Sequence, residues 1–160
     1  MNSRKKQAWS PGDVFKVPLS DGSTVIGQVL AHEPDAMNSV ACAFFDAHKE
    51  TDLQSSLGLV NAFSIILVTR DALDRGSWKI FGHEPIAIPR ERFPYESLRP
   101  NGFIGARIVG AGIVNSFLHA FRGLLPWDSM ADADYFDRLL TNAARKPTNL
   151  RLLKTNEKGD

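Results

Sequence analysis

Cys42 is the one cysteine in the chain. No intramolecular disulfide can form and no zinc site can be built from thiolates, which suits a reducing compartment. Long apolar runs are missing too. Residues 63–68 and 108–114 are the longest, and they are far too short to span a bilayer. No serine sits in a G-x-S-x-G elbow, and His32, His48, His83 and His119 include no H-x-x-x-H pair. Arg4, Lys5 and Lys6 are followed by Ser10-Pro11-Gly12-Asp13, where the apolar core of a signal peptide would have to lie. These absences predict a cytoplasmic protein with no membrane segment, no metal and no cofactor. A chain of 160 residues makes one ordinary domain. At that length folding buries roughly two thirds of the unfolded surface without a staple.

What is present is unevenly charged. The net charge of +1 hides three basic residues and no acid in residues 1–10, and five basic residues (Arg145, Lys146, Arg151, Lys154, Lys158) against two acids in residues 143–160. Residues 11–142 therefore carry −5. An acidic body disfavours nucleic acid and favours a basic protein partner. The expected organisation is a flexible lead-in over 1–10, a single α+β domain over 11–144 and a basic tail over 145–160.

Residues 14–19 and 23–31, separated by Asp21-Gly22, read as a β-hairpin. Gly27, in mid-strand, signals a bulge or a close backbone approach. Residues 39–47 are apolar on both faces and predict a buried central strand. Residues 48–58 are a loop or a short helix, and 60–69 form a β-branched fourth strand. Residues 71–76 read as one helical turn stopped by Gly76. A fifth strand spans 78–81, with 85–89 extending a sheet edge, and 103–109 make a sixth. The three prolines of 89–100 mark an exposed connection suited to function. Residues 113–121 are strand or helix, with helix favoured. The clearest helix signal is 128–144: Ser129 caps it, Ala133, Phe136, Leu140 and Ala143 share one face, and Pro147 ends it. Strands first and helices late predict an α+β fold: a twisted antiparallel sheet or small open β-barrel of five to six strands, with C-terminal helices packed on one side.

Few residues suggest chemistry. Arg107–Asn115 (RIVGAGIVN) resembles a dinucleotide-binding turn, but Asn115 stands where the third glycine belongs. Cys42 lies among apolar neighbours and reads as inert core. Asp46 and His48, with His83, could line a small-ligand or catalytic pocket. Asp128, Asp132, Asp134 and Asp137 either complement a helix dipole or form a docking face for a basic partner. Trp127 is either a staple between helix and sheet or an exposed interface residue. With Arg90, Arg92 and Tyr95 of the 89–100 connection, Trp127 and these four aspartates are the expected partner-binding residues.

Several short motifs resemble one family. Gly12-Asp13-Val14-Phe15, Val17-Pro18-Leu19, Asp21-Gly22 and Gly27-Gln28-Val29-Leu30 resemble the N-terminal hairpin of immunity protein family 26 of bacterial polymorphic-toxin systems. Phe44-Phe45-Asp46 is similar to its central strand. Asp71-Ala72-Leu73 and Gly76-Ser77-Trp78-Lys79-Ile80-Phe81-Gly82 are similar to a later one. The resemblance spans residues 12–90 and, loosely, Pro126-Trp127 with the final helix. It implies a non-enzyme encoded near a toxin, which it binds and blocks, and it assigns no catalytic residue. Gly12, Asp13, Pro18, Leu19, Gly27, Phe45, Asp46, Trp78 and Gly82 are then scaffold. The competing readings are a ligand-binding protein or enzyme with a pocket near Asp46 and His48, and a nucleic-acid-binding small barrel. Oligomeric state is not legible.

Overall fold

The computed structural model describes residues 6–46 and 56–153. His48 lies outside the described residues. Six strands form one open, twisted sheet: β1 (Asp13–Pro18), β2 (Thr24–Glu33), β3 (Ser39–Phe45), β4 (Ala62–Val68), β5 (Lys79–His83) and β6 (Ile108–Val109). Their order is β5-β1-β2-β3-β4-β6. All pairs are antiparallel except β4 with β6, which is parallel, so the sheet is mixed. Among the described residues two helices, α1 (Asp71–Arg75) and α2 (Ala111–Phe121), accompany it. The α+β expectation holds, with an open sheet and both helices on one face.

Every residue of β3 and β4 is buried. A strand apolar on both sides needs a cover on both sides, and two separate cores result. On the first face Phe15, Val17, Val29, Cys42, Phe44, Ile66 and Val68 meet Leu73 of α1, Val114, Phe117 and Leu118 of α2, and Trp78, Trp127 and Phe136. On the second, Val14, Ile26, Ala41, Ala43, Phe45, Ile65 and Leu67 meet Ile88, Phe93, Tyr95 and Phe103.

Gly27 fulfils its expected role. It faces Phe15 across the β1–β2 pair, and a Cβ there would lie 2.5 Å from the Phe15 ring. The missing side chain lets that ring lie flat against Trp78 (centroids 5.3 Å apart, planes 1° apart), with Phe44 edge-on to both. α1 ends at Gly76 in the left-handed region. α2 begins where the Thr69 hydroxyl accepts from the Ala111 amide. It docks on the β1–β2 turn where the Ser20 amide donates to His119 Nε2 at 3.0 Å.

Residues 128–144 are not the expected helix. They hold only 3-10 turns, Phe136–Leu139 and Ala143–Arg145. The backbone and carboxylates are used elsewhere. The Thr141 amide donates to the Phe63 carbonyl and the Thr141 hydroxyl to Ala62, while the Ser64 hydroxyl donates to Leu139. This segment thus closes part of the outer edge of β4 instead of forming its own ladder. The Asp132 carboxylate accepts from the Asp134 amide, a turn that competes with a helix start. The expected sixth strand shrinks to two residues, and 85–89 add no strand. Residues 6–10, expected to be a loose lead-in, are held by Gln7, whose side chain donates to the Leu73 and Trp78 carbonyls, and by Trp9, whose indole donates to Asp74.

Gly27→Ala forces the Phe15 ring out of its stack. It should cost about 1–3 kcal/mol of stability, read from denaturant unfolding. A variant as stable as the parent would show that the aromatic stack is not set by this contact.

Candidate partner-binding surface

The second cover is a strap, residues 84–107, made of two short 3-10 turns (Arg90–Arg92, Glu96–Asn101) and irregular backbone. Such a segment satisfies few of its own polar groups, so side chains must fasten it. At one end the Gln28 amide, buried in β2, donates to the carbonyls of Glu84 (2.9 Å) and Gly12 (3.2 Å). Phe93, Tyr95 and Phe103 then enter the core in sequence, with centroids 5.9 and 6.0 Å apart.

The other fastening is ionic. Glu33, the last residue of β2, has a side chain only 4% exposed. Arg99 grips it with both terminal nitrogens, Nη1 to Oε1 at 3.1 Å and Nη2 to Oε2 at 2.6 Å. The Tyr95 hydroxyl donates to Oε2 at 2.7 Å, and Arg90 Nη1 approaches it at 3.3 Å. Glu96 completes the hub by accepting from Arg99 Nε at 2.9 Å and Nη2 at 3.0 Å. Burial pushes the Glu33 carboxyl up, but the hydrogen bonds from Arg99, Tyr95 and Arg90 outweigh it and hold the group below the usual carboxylate range. The bond from Arg99 likewise holds Glu96 low. Burial first, and the bond to Glu33 second, raise the Tyr95 phenol far above its ordinary range.

These contacts redraw the expected surface. Residues 89–100 are not a free connection, and Tyr95 is buried with its hydroxyl committed to Glu33. Trp127 is buried as well, its indole donating to Asp137 at 2.8 Å, so it is the staple and not an interface residue. Asp137 also meets Lys146, Asp132 pairs with Arg138, and Asp128 accepts from the Leu153 amide. The acidic cluster is thus largely neutralised within the chain. Arg90 splits between Glu33, Glu96 and the Phe93 ring. Arg92 and Asp134 stay exposed. Beside the strap, Ile65, Leu67, Leu98, Leu139 and Leu140 line an apolar cleft of about 290 Å³, with Arg107 and Arg138 also at its walls.

Of the residues expected around a pocket near Asp46 and His48, His48 lies outside the described residues, Asp46 lines a shallow cleft with Phe121, Arg122 and Arg145, and His83 is not part of it. Asp46 follows β3 at the end of the sheet nearest the β1–β2 turn, while His83 bonds Asp13 at the opposite end of β1. No group of three or more His, Cys, Asp or Glu able to hold a metal occurs among the described residues. No helix of the described residues is long and apolar enough to cross a membrane.

The family profile of Immunity protein 26 matches residues 10–99. The chain belongs to the Immunity protein 26 family. Membership assigns an immunity-type function and suggests a non-enzymatic role. The family match takes in β1 to β5, the hub and most of the strap, and stops before β6 and α2. The motif residues Gly12, Asp13, Pro18, Leu19, Gly27, Phe45, Asp46, Trp78 and Gly82 all lie inside it. No curated protein and no solved structure matches the chain.

Sequence reasoning missed Glu33 and Arg99. The one carboxylate in a ten-residue strand that is buried along most of its length was one available signal. The Glu96–Arg99 spacing, which pairs side chains on one side of a turn, was another.

Glu33→Gln should lower stability at pH 7 by about 2–3 kcal/mol, discounted because Arg99 is partly exposed. The folded pKa of Glu33 is depressed, so its contribution is complete above the ordinary carboxylate range. It is lost as pH falls through the lower folded value. Denaturant midpoints of parent and variant should therefore converge as pH falls below the depressed folded value. A gap that persists there would assign Glu33 a packing role instead.

Proposed function

We propose that this chain is a non-enzymatic cytoplasmic immunity protein that neutralises a cognate bacterial toxin by binding it directly. The observation that carries the reading is the family match over residues 10–99. Charge supports it and gives the partner its sign. Residues 10–99 carry eight basic and twelve acidic side chains, a net −4, so most of the body's negative charge lies within the family-matched stretch. A protein surface of that sign attracts a basic partner over distances of about one Debye length, roughly 8 Å at physiological salt. Arg90, Arg92, Asp132 and Asp134 are the exposed members of the expected contact set; Arg90 and Asp132 already hold ion pairs within the chain, and Arg92 and Asp134 stand as partner contacts in this reading.

The direct experiment expresses the toxin domain encoded beside this chain, with and without the chain, in a bacterial host. Co-expression should restore growth, and the purified pair should elute as one stoichiometric complex. Its association rate should fall at least about tenfold between 50 and 500 mM salt, as electrostatic steering requires. Separate elution of the two proteins, with growth still arrested, would overturn the reading.

A further inference from the structure

Among the described residues three that are not glycine hold left-handed backbone: Met37 (φ 57°), Asn38 (φ 59°) and Phe103 (φ 64°). A Cβ makes that region unfavourable, so each needs a compensating gain. Phe103 has one inside the molecule. Its ring is 7% exposed, packed on Tyr95 and under the Arg99 guanidinium at 4.9 Å. Asn38 has one too: asparagine tolerates this region, and its Oδ1 meets His32 Nε2 at 2.6 Å. Met37 has none. It is 84% exposed, so its side chain gives almost nothing to the core. Glycine would hold the same backbone without strain. Single exposed apolar residues are ordinary; Met37 differs from the equally exposed Val60 and Ile104 in that strained backbone presents it.

The turn that displays it is rigid. The Ala36 amide donates to Glu33 (3.0 Å), Asn38 to Pro34 (3.0 Å) and Ser39 to Ala36 (3.2 Å), and Ala36 is buried. The exposed His32 ring is fixed by Asn38 on one side and the edge of Trp9 (5.4 Å) on the other. Beside Met37 stands Asp35, exposed and with no hydrogen-bonding or ionic partner among the described residues. A preorganised tip loses little entropy on binding. A thioether on an unbranched stem adapts to irregular apolar hollows.

We propose that the β2–β3 turn is the anchor by which the chain grips its protein partner. Met37 enters an apolar pocket of the partner, and Asp35 meets a lysine or arginine at that pocket's lip. This rests on the toxin-binding reading above and specifies its contact. A basic partner is favoured by the free carboxylate of Asp35 and by the net −4 of the family-matched stretch around it.

The test uses the full chain, the purified toxin domain encoded beside it, and three variants. Met37→Gly should unfold at the same temperature as the parent or higher, yet bind the toxin at least about tenfold more weakly. Met37→Leu, which keeps the apolar bulk, should stay within about threefold of the parent. Asp35→Asn should weaken binding mainly at low salt. If the parent binds and Met37→Gly binds equally well, the anchor is wrong while toxin binding stands. If Met37→Gly melts lower, Met37 serves the fold and the inference fails. If the parent itself binds no toxin, the underlying reading has failed, and the anchor fails with it.

Discussion

A single carboxylate under an irregular strap is the constraint on which the second half of this structure depends. β3 and β4 are buried on both faces, so the sheet cannot leave either side to water. The first side is covered partly by α1 and α2, whose inner backbone is satisfied within each helix, and partly by Trp127 and Phe136 of the irregular chain that follows. The second is covered by a strap almost without regular structure, whose polar groups must be met one by one. Glu33 does this at the strap's far end by collecting Arg99, Tyr95 and Arg90 on one carboxylate. Burying a charge is costly, and a hydrophobic pair could have matched the stability. What the ion hub adds is direction. A bidentate guanidinium and a phenol accept only one arrangement of the strap, whereas Ile88, Phe93 and Phe103 alone would tolerate several.

The hub also reaches the surface. Glu33 is followed at once by the β2–β3 turn, and its carbonyl accepts the Ala36 amide that folds that turn back. Its side chain holds the strap while its main chain holds the turn. Two exposed segments far apart in sequence are thereby set at a fixed offset. Segments held in this way would need little ordering on contact with a partner. The acidic cluster at 128–137 has no such arrangement. Its carboxylates are met by Arg138, Lys146, the Trp127 indole and the Leu153 amide, so it acts as internal stitching.

Local signals explain what was legible in the sequence. β-branched runs, the Asp21-Gly22 turn, the Gly76 stop and the Gly27 gap each state their role within a few residues, and each took its expected place. The failures are long-range. The period of 128–144 is helical, but the Thr141 amide and hydroxyl found partners on the β4 edge more than seventy residues away in sequence, at Phe63 and Ala62. Tyr95 and Trp127 looked like interface aromatics because nothing nearby predicted Glu33 or Asp137 as acceptors for their donors. Glu33 itself fell outside the strand expected over 23–31, next to Pro34. Its partners lie 57 to 66 residues on, beyond any spacing rule.

The family match and the folding unit do not coincide, and the difference separates two roles. Residues 10–99 contain five strands, the hub, most of the strap and the bulk of the negative charge. They do not contain Val114, Phe117 and Leu118 of α2, nor Trp127 and Phe136, which together close the first core over Phe15, Val29 and Phe44. Without that cover the matched stretch would expose an aromatic face that no soluble sheet sustains. The later residues are therefore obligatory for folding, yet their demand is generic: apolar volume on one side and a few donors for the β4 edge. The hub and the β2–β3 turn admit far fewer substitutes, because their geometry is set by particular donors, acceptors and backbone angles. In this chain the contacts that fix the outward surface lie in the matched part, and the contacts that merely complete the core lie beyond it.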